Sequence, residues 1–189
     1  MSFAKLVLKV LGWKADNRMG AIPPKAVVIA VPHTSMWDFV YGYYAWRALG
    51  VRPKFLIKKE SFFFPLGILL RSLGGIPVDR SGKNSVVHDV VEEFKKKDRM
   101  ILTITPEGTR RPVKRWKNGF HRISKAAGVP LIMGFIDYKT KTAGLLKEYE
   151  LTDDANRDML EIMKYYTTFE GKYPDDFYLP PEAKADPKS

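Results

Sequence analysis

Val27-Val28-Ile29-Ala30-Val31 is a β-branched, apolar run that stops at Pro32, with His33 directly behind it. Apolar runs of this length bounded by turn residues read as buried strands. Beyond the turn, Trp37, Val40, Tyr41, Tyr44, Ala45, Ala48 and Leu49 recur at three and four residues, the spacing of an amphipathic helix, and Gly50 supplies a stop. A strand that feeds a helix through a short polar turn is the opening of an α/β unit, and the pattern recurs. Strands are expected at 54–58, 76–78, 100–104 and 129–136, with an antiparallel return at 145–151 after a turn at 139–142. Helices are expected at 85–97, at 116–127 with Gly128 as its stop, and at about 154–170 with Thr152 as its cap. The chain is therefore read as a single α/β domain with a mostly parallel central sheet flanked by helices. Its 189 residues suffice for one core.

Four stretches are organised differently. Residues 2–11 form a short helix with Ser2 as cap, Phe3, Leu6, Val7, Val10 and Leu11 on one side and Lys5 and Lys9 on the other. Such a helix suits a membrane interface and suits packing on the core equally well. Residues 15–26 read as a loop. Residues 62–73 are strongly apolar and partly helical. Core is the expected reading for them, acyl-chain or bilayer contact the alternative. The tail from Tyr173 is rich in proline and charge and is expected to end loose. The expected organisation is an amphipathic helix at 1–15, a catalytic domain at 16–172 and a tail at 173–189.

The 32 Lys and Arg against 21 Asp and Glu leave a net charge of +11. That surplus favours an anionic partner, whether nucleic acid, a phosphate-bearing substrate or an anionic membrane. The basic residues are dispersed, so charge alone does not choose among them. With no cysteine, disulfides, a thiol nucleophile and thiolate metal sites are excluded. The longest apolar run, 62–70, contains Pro65 and is far short of the roughly 20 residues of a spanning helix. No signal-peptide pattern opens the chain. A cytoplasmic protein, peripheral on the inner face of a membrane and without a spanning helix, is expected.

Chemistry gathers at strand ends, where open α/β sheets bind ligands. His33 sits on a strand-to-helix turn, and Asp38, about one helical turn on, can fold back to its ring. A carboxylate on one imidazole nitrogen fixes the tautomer and leaves the other as a base. Arg80 ends the second such stretch, Gly74–Arg80. Glu107-Gly-Thr-Arg-Arg111 ends the third. Guanidinium groups bind phosphate through a two-pronged fork of donors, and Gly108 permits close backbone approach. Ser81-Gly-Lys-Asn84 resembles the end of a nucleotide phosphate loop. Asn84 replaces the required hydroxyl residue and Pro77 the first glycine, so that reading is rejected. His88 is read as structural or solvated and His121 as a surface residue. With no Gly-x-Ser-x-Gly elbow and no cysteine, nothing marks a covalent acyl-enzyme. One site histidine without His or Cys partners argues against zinc. A base beside guanidinium groups suits a substrate with both a hydroxyl and a phosphate.

Four ordered blocks over roughly 27–136 carry a family resemblance. His33-Thr-Ser-Met-Trp-Asp38 resembles the His-x-x-x-x-Asp signature of the glycerolipid acyltransferases. Gly75-Ile-Pro-Val-Asp-Arg80, Pro106-Glu-Gly-Thr-Arg110 and Val129-Pro-Leu-Ile132 are similar to the blocks that follow it in that family. The resemblance implies that His33 deprotonates the acceptor hydroxyl and Asp38 orients His33. It implies that Arg80, Glu107, Gly108, Thr109 and Arg110 form the phosphate-binding region, with Glu107 positioning the arginines. The donor would be acyl-CoA or acyl-carrier protein, with no cofactor or metal. The acceptor would be a lysophospholipid, 1-acylglycerol-3-phosphate first, with glycerol 3-phosphate or a lyso-ornithine lipid as alternatives. Pro32, Thr105, Arg111 and Met133 depart from the family pattern around the acceptor region and leave the acceptor open. The rival of another class is a non-catalytic basic protein on nucleic acid or a membrane. No nucleic-acid signature stands out, so no nucleic-acid partner is expected. A phosphohydrolase ranks last, for want of a metal cluster or phosphoryl-accepting nucleophile.

Overall fold

An apolar run without alternation requires a strand covered on both faces. In the computed structural model, which describes residues 2–79 and 86–188, that run is the middle of the sheet. The elements in chain order are α1 (Phe3–Val10), β1 (Lys14–Asn17), β2 (Lys25–Val31), α2 (Trp37–Ala48), β3 (Pro53–Lys58), α3 (Leu66–Ser72) and β4 (Gly75–Val78). They continue as α4 (Val86–Lys96), β5 (Met100–Ile104), α5 (Gly119–Ala127), β6 (Leu131–Asp137), β7 (Thr142–Tyr149), α6 (Ala155–Lys164) and α7 (Pro181–Ala185). The sheet order is β1-β7-β6-β2-β5-β3-β4. Strands β6, β2, β5, β3 and β4 are mutually parallel, and β7 turns back antiparallel on β6 with β1 parallel to it at the edge.

Side-chain alternation in β2 divides the core in two. Val27, Ile29 and Val31 pack with Phe94 of α4, Phe120 and Ile123 of α5 and Ile162 of α6. Ala26, Val28 and Ala30 face Leu8 of α1, Trp13 and Trp46 of α2. The small alanines on that second face leave room for the two indoles. The result is helices on both faces of a mostly parallel sheet, as expected.

Several local expectations are corrected. The 15–26 loop contains β1, a polar edge strand (Lys-Ala-Asp-Asn) whose apolar content is too low to signal a strand; it runs across position 15/16. Phe63, Phe64, Ile68 and Leu69 in the 62–73 segment are exposed rather than core, Phe64 by 84%. Helix α1 buries Ala4 and Leu8 and leaves Phe3, Leu6 and Val10 outside. The last long helix ends at Lys164, and its cap is Asp154, which accepts from the backbone N–H groups of Asn156 and Arg157. Thr152 instead donates its hydroxyl and its N–H to Asp158. His121 is buried, its Nε2 3.0 Å from Asp158 Oδ2. The tail is not loose: Leu179 and Ala183 enter the core and Lys164 pairs with Asp186.

Candidate active site

The parallel strands β2, β5 and β6 present their C-terminal ends along one edge of the sheet, so the segments after them converge. Helix α2 leaves β2 for one face and α5 leaves β5 for the other. Adjacent strands whose connections depart to opposite faces open a crevice at that edge, and the expected site residues of the first and third blocks lie there.

Asp38, in the first turn of α2, is 2% exposed. Its Oδ2 accepts the backbone N–H groups of Thr34 and Ser35, both at 2.7 Å, and lies 3.2 Å from His33 Nδ1. Its Oδ1 accepts the Tyr138 hydroxyl at 2.6 Å. A buried carboxylate is stable only when its lone pairs are met by donors, and here both oxygens are. The first-turn position adds the favourable end of the helix dipole. A lone pair on Nδ1 would be repelled by this carboxylate, so Nδ1 carries the proton. That leaves Nε2 with no protein partner among the described residues. The His33 side chain is 19% exposed. Such an arrangement has the chemistry to accept a proton at Nε2, with the Asp38 carboxylate placed to stabilise the resulting cation.

Glu107 occupies the opposite side of His33. Its Oε1 accepts the His33 backbone N–H at 2.9 Å, and its Oε2 is buried without a hydrogen-bond partner. Burial pushes its carboxyl up to about 7, against hydrogen bonds from its own backbone and from His33 that pull it down. The carboxylate thus holds the backbone of His33, and it makes no ion pair with Arg110 or Arg111 among the described residues. The turn is closed by Gly108 N–H to the Thr105 carbonyl at 3.1 Å, with Gly108 at φ +68°. The positive φ favours glycine at 108, and the flexible end of Lys117 is laid over it, its Nζ 2.9 Å from where a Cβ would stand. Lys117 N–H bonds the Pro106 carbonyl at 2.8 Å. Thr109 Oγ1 accepts the Arg111 N–H at 3.3 Å. Arg110 is exposed and makes no ion pair among the described residues. Arg80 and the Ser81–Asn84 stretch lie outside the described residues.

Three features at this edge were not read from the sequence. Tyr138 directly follows β6, the same strand-end position that singled out His33 and Glu107, and that signal could have found it. Lys117 comes next to Gly108 only through the fold. Residues 170–173 cross the site: Glu170 O accepts Tyr138 N–H at 2.9 Å, and Tyr173 N–H reaches Thr34 Oγ1 at 3.3 Å. Gly171 lies so close to Thr34 that a Cβ would meet its side chain at 2.7 Å. Lys172 Nζ lies 5.6 Å from the centre of the Trp37 ring. Trp37 and Met36, beside His33 in the chain, are exposed apolar residues.

Among the described residues no helix is long and apolar enough to cross a membrane. A family model described as Acyltransferase matches residues 18–133. The fold resembles the crystal structure of the 1-acyl-sn-glycerophosphate (LPA) acyltransferase PlsC from Thermotoga maritima. The match has a TM-score of 0.60 and 18% sequence identity, and covers 84% of this chain and 72% of that one. A comparison with proteins of curated function finds no match.

Proposed function

Because the chain belongs to the acyltransferase family, and carries its His-x-x-x-x-Asp signature at His33 and Asp38, we propose that it moves a fatty acyl group from acyl-CoA or an acyl-carrier protein to a lysophospholipid hydroxyl, with 1-acylglycerol-3-phosphate as the first acceptor. The observation that supports this most is the His33–Asp38 pair, whose Nε2 has no protein partner among the described residues, set beside a turn that carries Arg110, exposed and without an ion pair among the described residues. In this reading Nε2 takes the acceptor's hydroxyl proton as its oxygen attacks the thioester carbonyl. The carbon–sulfur bond breaks, the departing thiolate takes the proton from the imidazolium, and an ester and a free thiol leave. General-base assistance of this kind typically contributes about 10²–10⁴-fold.

Arg110 and Lys117 supply positive charge for the acceptor's phosphate, with Arg80 as the third cation and Gly108 and Thr109 forming the turn that presents Arg110. Glu107 acts through the backbone of His33. The exposed apolar residues Phe3, Leu6 and Val10 of α1, and Phe63, Phe64, Ile68 and Leu69 around α3, lie among lysines and arginines of a chain of net charge +11. Such faces suit an anionic bilayer surface, where each basic residue adds about 1 kcal/mol. In this reading the enzyme is cytoplasmic and peripheral on the inner face of the membrane. Its acceptor enters from the lipid side.

The test is incubation with acyl-CoA, and separately with acyl-carrier protein, and a pool of lysophospholipids, glycerol 3-phosphate and lyso-ornithine lipid, read by mass spectrometry. Diacyl product from 1-acylglycerol-3-phosphate in excess over the others is expected. Product from only another acceptor would overturn the acceptor, and no acylated product with either donor would overturn the reading.

A further inference from the structure

We propose that Tyr138 is a positioning residue for acyl transfer, holding Asp38 Oδ1 so that the carboxylate keeps its orientation and shares its charge between Tyr138 and the His33 ring. The inference rests on the reading of His33 as base. Its geometric basis is separate, because Tyr138 comes from β6, a hundred residues along the chain from Asp38. The other donors to Asp38 come from its own turn: the backbone N–H groups of Thr34 and Ser35 and the ring of His33, all on Oδ2. Oδ1 is held by Tyr138 alone among the described residues. At 2.6 Å this is the short, charge-assisted kind of O–H···O⁻ bond. Without it the orientation about the terminal torsion, which is broad for aspartate, rests on the contacts of Oδ2 alone.

The phenol is itself held in place. The Trp13 ring lies edge-on to it at 4.9 Å and the Tyr41 ring at 5.8 Å, and Trp13 and Tyr41 stack on each other at 3.9 Å. On its backbone side, Tyr138 N–H is bonded to the Glu170 carbonyl at 2.9 Å. Burial, and then the Asp38 carboxylate beside it, raise the phenol well above its ordinary value, so it remains a donor throughout the working pH range. Among the described residues, the titratable groups that interact with the His33–Asp38 pair are Glu107 from the turn after β5 and Tyr138 itself; Tyr41 of α2 acts on Tyr138, and Lys172 of the crossing segment lies over Trp37.

Removing the hydroxyl leaves the whole carboxylate charge to the turn and the imidazolium. The imidazolium is then held more tightly and Asp38 less firmly oriented. The pH-dependence of kcat/KM reports the free enzyme's essential base. In Tyr138→Phe its acid limb is therefore expected to move up by about one pH unit, the size of one lost charge-assisted hydrogen bond. The kcat falls about tenfold with KM nearly unchanged, the sign of an interaction used in the transition state. Phenylalanine keeps the ring edge-on against the stacked Trp13 and Tyr41, and a melting curve reports the fold. A merely structural role would lower the active fraction without moving the limb.

The experiment is the pH–rate profile of wild type, Tyr138→Phe, Glu107→Gln and the Tyr138→Phe/Glu107→Gln pair, with His33→Ala as the control on the base. An upward shift that persists in the Glu107→Gln background supports the proposal. An unmoved limb with kcat within about twofold of wild type overturns it, as does a shift that vanishes when Glu107 is replaced. Retained turnover in His33→Ala overturns the base assignment instead, and so distinguishes the two failures.

Discussion

Glu107→Gln isolates the cost of holding a carboxyl group beneath the turn that carries His33. Burial raises the group from its ordinary 4.5 to about 7. At about 1.36 kcal/mol per pH unit, that difference amounts to about 3 kcal/mol between the ionised and neutral forms. The folded state binds this proton more tightly than the unfolded chain. The stabilisation is therefore complete below pH 4.5, is lost progressively as pH rises toward 7, and changes no further above it. Glutamine keeps a carbonyl to accept the His33 N–H, now 2.9 Å from Oε1, and has no charge to desolvate. It places an amide N–H₂ where Oε2 is orphaned, a pH-independent penalty of about 1–3 kcal/mol. The slope with pH, rather than the absolute level, is therefore the diagnostic. Denaturant titrations of both proteins from pH 5 to 8 are expected to show wild type losing about 2.5 kcal/mol more than the variant. In melting temperature this is about 5–10 °C for a chain of this size. Parallel curves would refute the reasoning, since Glu107 would not be titrating from a buried state. Activity adds a second readout. Glu107→Gln keeps most of kcat if the side chain serves only to hold His33, whereas a large rise in KM for the phosphate acceptor would place it in the phosphate site.

Arg110→Ala is expected to raise KM for a phosphate-bearing acceptor by about ten- to a hundredfold, the range for losing a charged hydrogen-bond partner, and to leave the KM for acyl donor nearly unchanged; equal effects on both substrates would argue against a phosphate contact. Phe64→Asp combined with Ile68→Asp is expected to weaken retention on anionic vesicles by at least about tenfold, because two apolar anchors worth about 1.5–3 kcal/mol each are replaced by charge. The melting temperature should hold, since both side chains are exposed. Unchanged vesicle binding would remove α3 from the docking face.

The sheet was legible because its central strands are apolar on both faces, and 100–104 matches β5 residue for residue. The same signal failed at β1, where Lys14, Asp16 and Asn17 pair along an edge that needs no apolar side chain. It misled at 62–73, since an apolar run says that water is avoided but not whether protein or lipid replaces it. Residues 173–189 read as loose because proline and charge dominate them, while two small contributions, Leu179 and Ala183, fasten them to the core. At the site, His33 and Asp38 are five residues apart, and a turn followed by a helix brings them together by local geometry. Tyr138, Lys117 and the 170–173 crossing reach the same place only through strand order, which single-sequence periodicity does not carry. The family resemblance assigns Glu107 to the phosphate-binding region, and its bond to His33 was not legible in the sequence. Its backbone turn points the carboxylate inward, to the N–H of His33.

The central claim, that one imidazole moves the acceptor's proton, is tested most directly by single-turnover acyl transfer with His33→Ala. The donor is acyl-CoA, the acceptor 1-acylglycerol-3-phosphate, and melting curves establish equal folded fractions. The account predicts a loss of about 10²–10⁴-fold in the transfer rate with the fold intact. Transfer within about tenfold of wild type would contradict it.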